Sequence, residues 1–277
     1  MTLHHDPRWP RAGDWPPLDG HADVAIVGIP AHLTSLSPTS AHRTPAAVRE
    51  ALQRYSFESP LTIADAGDTL DRVEVDADLV IAIGGDNSAT LPVALGRWRD
   101  RISTAGLVTV DAHHDLRDGV SNGSPVRQLI EAGLGGERIV QVGIEPFANS
   151  RAYRDRAERL GITVIERAEL VRRPMAEVMA EALDTVAQFG GPVHVDLDVD
   201  VCDRSVAPAC PASVPGGVSA FELRAAARAA GAHPSVVSID LVEVDADADT
   251  PDGRTVRLVA LCILEAIAGY ESRGVAP

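Results

Sequence analysis

The sequence predicts a doubly wound α/β fold: one domain on a mostly parallel sheet, with helices packed on both faces. Three observations predict it. Short, fully apolar runs that read as strands alternate with helical patterns along most of the 277 residues. Strands buried on both faces are the mark of a parallel sheet covered by helices. No internal repeat is visible, and no low-complexity linker divides the chain. The length suits a single α/β core, so residues 1–277 are assigned to one domain, with residues 1–20 as an irregular N-terminal segment.

ADVAIVGI (22–29) is the first predicted strand, and TPAAVREALQRY (44–55) the first helix, opened by a Thr-Pro pair that suits a helix start. Strands follow at 61–67 and 78–85, then a helix over 88–99. GLVTVDAH (106–113) is the next strand, and a short helix runs from Pro125 to Ala132. The alternation continues with strand 138–144, helix 151–160, strand 162–165 and helix 174–189. GPVHVDLDVD (191–200) is a strand, followed by helix 219–230, strand 235–244 and helix 254–269. The Pro-rich start (7–17) and residues 201–217 read as loops.

Composition excludes several classes of function. A formal net charge of −15 argues against nucleic acid or an anionic membrane as partner. All 25 basic residues are arginine, so lysine Schiff bases, pyridoxal phosphate anchoring and a P-loop lysine are excluded. Cys202, Cys210 and Cys262 form no CxxC pair, which fits a reducing cytoplasm. The first residues carry no basic-then-apolar signal, and no apolar run reaches membrane-spanning length. His4 and His5 read as exposed tail residues.

The chemistry concentrates in two short acidic clusters, DAHHD (111–115) and DLDVD (196–200), each at the C-terminal end of an apolar strand. Burying so many carboxylates is too costly without a positive partner. Oxygen-rich sets with an imidazole suit hard or borderline divalent ions such as manganese, and two ions sharing carboxylates can activate a water between them. A strand continued through each motif would put Asp111, His113 and Asp115 on one side, and Asp196, Asp198 and Asp200 on one side, by the period of two. GGDN (84–87) and EVD (243–245) end strands at the same edge, where open parallel sheets bind ligands.

Together IAIGGDNSAT, TVDAHHDL, VHVDLDVDVCDRSVAP with PGG, and SIDLVEVDADAD resemble the ureohydrolase family of arginases, agmatinases and formimidoylglutamases. The likeness spans roughly residues 22 to 268 in four separated motifs. It implies an arginase-like α/β fold and a two-manganese hydrolase of amidine-type C–N bonds. By carry-over, Asp111 and Asp198 bridge the two ions, Asp115 joins one, His113 and Asp200 join the other, and Asp203 orients ligands from behind. Asp196 falls in the family's Ser position. The family's first ligand, the His of GGDH, is Asn87 here, which implies weaker metal binding on that side. The other reading of Asn87 is a cap on the helix that follows it.

The resemblance also implies that Asp115 relays a proton and that Glu243 pairs with the cationic C–N group. The arginase HG pair, whose His shuttles protons, is replaced by Asn122 and Gly123. His114 and His32 are candidate substitutes. Ser121, Asn122, Arg127, Glu145 and Glu243 are candidate substrate-binding groups. The GGDN variant is similar to the hydroxyarginine amidinohydrolases of D-cycloserine biosynthesis, so the expected reaction is N-omega-hydroxy-L-arginine to L-ornithine and hydroxyurea. The alternatives are formimidoylglutamate, suggested by SNGSPVRQ, DLR and VGIEPFANS, and arginase or agmatinase activity. Outside this class stands a non-catalytic metabolite-binding member; a two-metal phosphoesterase is disfavoured by the surrounding negative charge. The expected partner is a small amidine or guanidino amino acid, in a homo-oligomer of the kind the family commonly forms.

Overall fold

A computed structural model of the chain describes residues 6–274, so His4 and His5 lie outside the described residues. The strands are β1 (Ala22–Ile29), β2 (Ile63–Asp68), β3 (Ala77–Gly84), β4 (Gly106–Val110), β5 (Ile139–Ile144), β6 (Thr163–Glu166), β7 (Val193–Asp198) and β8 (Val236–Val242). The helices are α1 (Thr44–Leu52), α2 (Thr90–Trp98), α3 (Pro125–Glu131), α4 (Arg151–Leu160), α5 (Met175–Ala187), α6 (Ala220–Ala232) and α7 (Arg254–Glu271). The strands form one sheet in the order β2-β1-β3-β8-β7-β4-β5-β6, and every pairing is parallel. The expected α/β class holds. No helix among the described residues is long and apolar enough to cross a membrane.

Local sequence explains the helix ends. Ser219 and Glu222 close a reciprocal capping box at the start of α6. Ser150 caps α4, which ends at Gly161 in the left-handed conformation that glycine adopts without a steric penalty.

The two faces of the sheet differ. One carries a continuous apolar core in which Val108, Val110, Val195 and Leu197 pack with residues of α5, α6 and α7. The other is divided into two smaller apolar clusters, one around Trp98, Leu107 and Leu129, the other around Val27, Val80 and Val93. Between them runs a buried polar seam. Gln141, Thr109, Asp196 and Asp240 are register neighbours across four strands. Below Asp240, His194 lies with Nδ1 2.8 Å from Ser238 Oγ and Nε2 3.2 Å from Asp240 Oδ2. Asp196 thus belongs to this seam and lies in neither candidate ligand group described below.

Two strands stop sooner than the alternation predicted. β4 ends at Val110 and β7 at Asp198, so the period of two does not carry past those points: His113 and Asp115 lie in irregular backbone, and Asp200 in a 3-10 turn over Val199–Val201. The cause is local. Asp111 Oδ1 accepts the His113 N–H at 2.6 Å, and Asp198 Oδ1 accepts the Asp200 N–H at 2.8 Å. A carboxylate that captures the amide two residues on competes with the sheet ladder and turns the chain.

Candidate metal centre

The same device recurs at the sheet edge. Asp86 Oδ1 accepts from the Ser88 N–H and Asp245 Oδ1 from the Asp247 N–H. Four loops turn back over the strand ends, and the acids collect there. Two groups of three side chains bring ligand atoms within 4.8 Å of one another: Asp111, His113 and Asp200, and Asp111, Asp115 and Asp198. Asp111 belongs to both groups; Asp198, expected as a second bridging residue, belongs to one.

Backbone geometry reinforces the placement. Asp115 (φ 52°) and Glu243 (φ 64°) occupy the left-handed region, unfavourable for residues with a side chain and frequent at functional sites. The paired glycines of GGDN are required by space. A Cβ on Gly85 would sit 1.9 Å from the Ala31 carbonyl oxygen, and one on Gly84 would sit 2.5 Å from Val242 Cγ1. Only glycine lets β3 pass this close to its neighbours and deliver Asn87 to the edge.

The electrostatics are those of an acid cluster. Burial, then the neighbouring Asp200, raises the Asp111 carboxyl to about 7. Burial and adjacent acids hold Asp115 and Asp198 well above the usual carboxylate range. His113 is the exception: the Asp200 charge, 3.0 Å from Nδ1, raises it to about 12. That ion pair in turn keeps Asp200 low despite its burial. Asp111 Oδ2 and Asp200 Oδ1 are buried without a hydrogen-bond partner among the described residues. Unsatisfied carboxylate oxygens in an oxygen-rich set with one imidazole fit divalent cations.

A cavity of about 310 Å³ opens over these acids, lined on its other walls by Leu36, Arg117, Asn122, Ser150 and Glu243. Glu243 Oε1 accepts the Asn87 N–H at 2.7 Å and Asn122 Nδ2 at 2.6 Å, leaving Oε2 free of hydrogen bonds from described residues. Burial raises Glu243 to about 7, while these two donors pull the other way. Asn87 does not cap the following turn; Asp86 does. Instead Asn87 Nδ2 donates to Asp115 Oδ2 at 2.5 Å and to Asp198 Oδ2 at 3.0 Å, and Oδ1 accepts from Thr90 Oγ1. Oxygen and nitrogen of this amide are assigned from those partners.

Other candidates are placed elsewhere. His114 edges the cavity but is buried, with Nδ1 2.7 Å from Gln141 Oε1, and burial lowers its pKa. His32 packs against His42 in a tilted arrangement, ring centroids 4.4 Å apart, outside the cavity wall. Arg127 donates to the Arg117 and Gly119 carbonyls and to Glu131, bracing the loop from outside. Glu145 accepts from the Phe147 N–H, and Ser121 is buried beside Ser124; neither lines the cavity. Asp203 accepts from Ser205 and from the Gly216 N–H, shaping the 203–216 loop and touching no ligand group. Arg117, at the cavity wall, was missed among the site residues; its signal is an arginine two residues after Asp115 in a loop.

The Arginase family model matches residues 22–269. The chain belongs to the arginase family. A formimidoylglutamase of Halalkalibacterium halodurans is 32% identical, over 91% of this chain and 88% of its own. A guanidinopropionase of Pseudomonas aeruginosa is also 32% identical, over 75% of this chain and 70% of its own. The crystal structure of a Bacillus subtilis formimidoylglutamase superposes with a TM-score of 0.89 at 26% identity, covering 99% of this chain and 96% of that one. This arginase-family chain is thus a hydrolase of amidine-type C–N bonds. Its acid cluster, built at the edge of the parallel sheet, is where a catalytic metal pair of this family would be held.

Proposed function

We propose that the protein hydrolyses N-formimidoyl-L-glutamate to L-glutamate and formamide, with two manganese ions. The observation that carries the reaction type is the double ligand group sharing Asp111, with Glu243 at the wall of the same cavity. Relatives named formimidoylglutamases support this substrate better than the expected cleavage of hydroxyarginine in antibiotic biosynthesis. Asn87, which suggested hydroxyarginine, has another account: its amide links Asp115 to Asp198.

Asp111, His113 and Asp200 would hold one ion, and Asp111, Asp115 and Asp198 the other, with Asn87 beside the second. The ions, when bound, polarise the attacking water and lower its pKa. Glu243 presents Oε2 to an N–H of the amidinium, fixing the plane of the carbon under attack. Asp115 accepts the proton of the attacking water and returns it to the leaving amine, so that the C–N bond breaks as the new C–O bond becomes a carbonyl. Asn122 orients Glu243 and favours its ionised form.

Product analysis by mass spectrometry tests the substrate. Manganese-loaded protein is offered formimidoylglutamate, hydroxyarginine and arginine in parallel. Glutamate release well above ornithine release supports the proposal; ornithine from hydroxyarginine with no glutamate refutes it.

A further inference from the structure

The polar seam beneath the acid cluster leaves a row of oxygens unmatched. Thr109, Asp196 and Asp240 stand side by side in register on β4, β7 and β8, and each is 0% exposed. Both carboxylate oxygens of Asp196, Oδ1 of Asp240 and the Thr109 hydroxyl have no hydrogen-bond partner among the described residues. Orphaned carboxylate oxygens are among the costliest groups to place in a protein interior. The polar neighbours of the row are already engaged. Gln141, beside Thr109, exchanges hydrogen bonds with His114, and His194 meets Ser238 Oγ and Asp240 Oδ2. His194 supplies at most one positive charge to two carboxylates. Burial first, then Asp240, Asp111 and Asp115, holds the Asp196 carboxyl well above the usual carboxylate range.

We infer that Thr109, Asp196 and Asp240 hold a monovalent cation, sodium or potassium, beneath the candidate metal centre. The unmatched donors are all oxygens, which suits a hard cation, and none belongs to an imidazole or thiol that would favour a transition metal. Charge sets the valence. With His194 offsetting one acid, the row is one positive charge short, and a divalent ion would overshoot that balance. Asp196, His194 and Asp240 also do not form a close ligand group of the kind that gathers at the sheet edge. Asp196 occupies the position of a Ser in the family pattern, so the second acid is a feature of this sequence. The ion would join β4, β7 and β8 two residues before Asp111 and Asp198, and so steady the ligands above it. This assignment does not depend on which amidine is cleaved.

The test reads ion content and melting temperature, not activity. Manganese-loaded protein is exchanged into tetramethylammonium chloride, whose cation is too large to enter, and then dialysed to equilibrium against sodium chloride or rubidium chloride, rubidium standing in for potassium. Elemental analysis should find one further monovalent ion per chain beside the manganese. Tm at equal ionic strength should be higher in the bound salt than in tetramethylammonium, by about 5 °C at a hundredfold excess over Kd. Asp240→Asn should abolish this salt-specific rise. Thr109→Val removes one ligand while keeping shape and charge, and should raise the half-saturating salt concentration about tenfold; it carries the test if Asp240→Asn does not fold. A preference for sodium or for rubidium tells which ion the site fits, and either upholds the inference. Equal Tm in all three salts with no monovalent ion bound would overturn it, leaving a proton shared between Asp196 and Asp240 to balance the row. Uptake of a third manganese would overturn it too, as would a salt-specific rise that neither variant alters.

Discussion

Replacing Asn122 by alanine removes one of the two donors that hold Glu243. The carboxylate is buried, and burial alone raises it; the bonds from Asn122 Nδ2 (2.6 Å) and the Asn87 N–H (2.7 Å) oppose that rise. A hydrogen bond to a charged group contributes about 1.5–3 kcal/mol. At 1.36 kcal/mol per pKa unit, its loss raises Glu243 by about one to two units. Because the ionised form binds the amidinium, the acid limb of the kcat/KM profile should move up by at least about one unit. Activity at neutral pH should fall about tenfold and recover as the medium becomes alkaline. The assay is kcat/KM against pH for wild type and Asn122→Ala with saturating manganese. Asn122 also accepts the Leu36 N–H at 3.0 Å and donates its own N–H to the Thr34 carbonyl. A purely structural effect on that loop would lower activity equally at every pH. Superimposable profile shapes with a uniform drop would therefore refute the role given to Asn122.

Three other outcomes are expected. Asn87→Ala should lower manganese retained after gel filtration from about two ions per chain towards one, measured by elemental analysis, because Asp115 and Asp198 lose the amide between them. Chelation should lower the melting temperature and leave a pH-dependent stability that added manganese abolishes. Asp111 and Glu243, both raised to about 7, bind more protons folded than unfolded, so metal-free stability should fall as pH rises from about 4 to 7. His113, raised to about 12, adds a contribution fully present below about 6.5 and declining above it. A metal-free melting temperature that climbs over this range would contradict the acid-cluster account. Gly85→Ala should cost about 1–3 kcal/mol in chemical denaturation and weaken metal binding, since its Cβ would collide with the Ala31 carbonyl.

The architecture was legible because it rests on hydrophobic periodicity. Val24 to Ile29 and Val193 to Leu197 read as buried strands whatever lies beside them, and the helices between them fix the sheet as parallel. The ligand groups were legible by residue type and spacing, but for a partly mistaken geometric reason. His113 and Asp200 reach the site through side-chain-to-backbone turns at the strand ends, which a period of two does not describe. Arg127 and Glu145 illustrate the limit of motif reading. A loop arginine can face the cavity or brace the loop from behind, and the difference lies in backbone direction between residues 117 and 127. Asp196 shows the same limit just below the site: its acid is aligned with Asp240 by strand register, information that only pairing supplies.

That seam gives the sheet an unequal pair of faces. On one side, α5, α6 and α7 are joined to the strands by uninterrupted apolar contact, which opens only when most of the core opens. On the other, α2 and α3 rest on two apolar islands with Thr109, Asp196 and Asp240 between them. The ligand groups stand at the upper end of this divide, where Asp111 and Asp198 continue the strands that carry it. An ion held there would fasten the looser layer to the tighter one. In amide exchange, its removal would register first in α2 and α3, with the helices of the opposite face exchanging at their former rates.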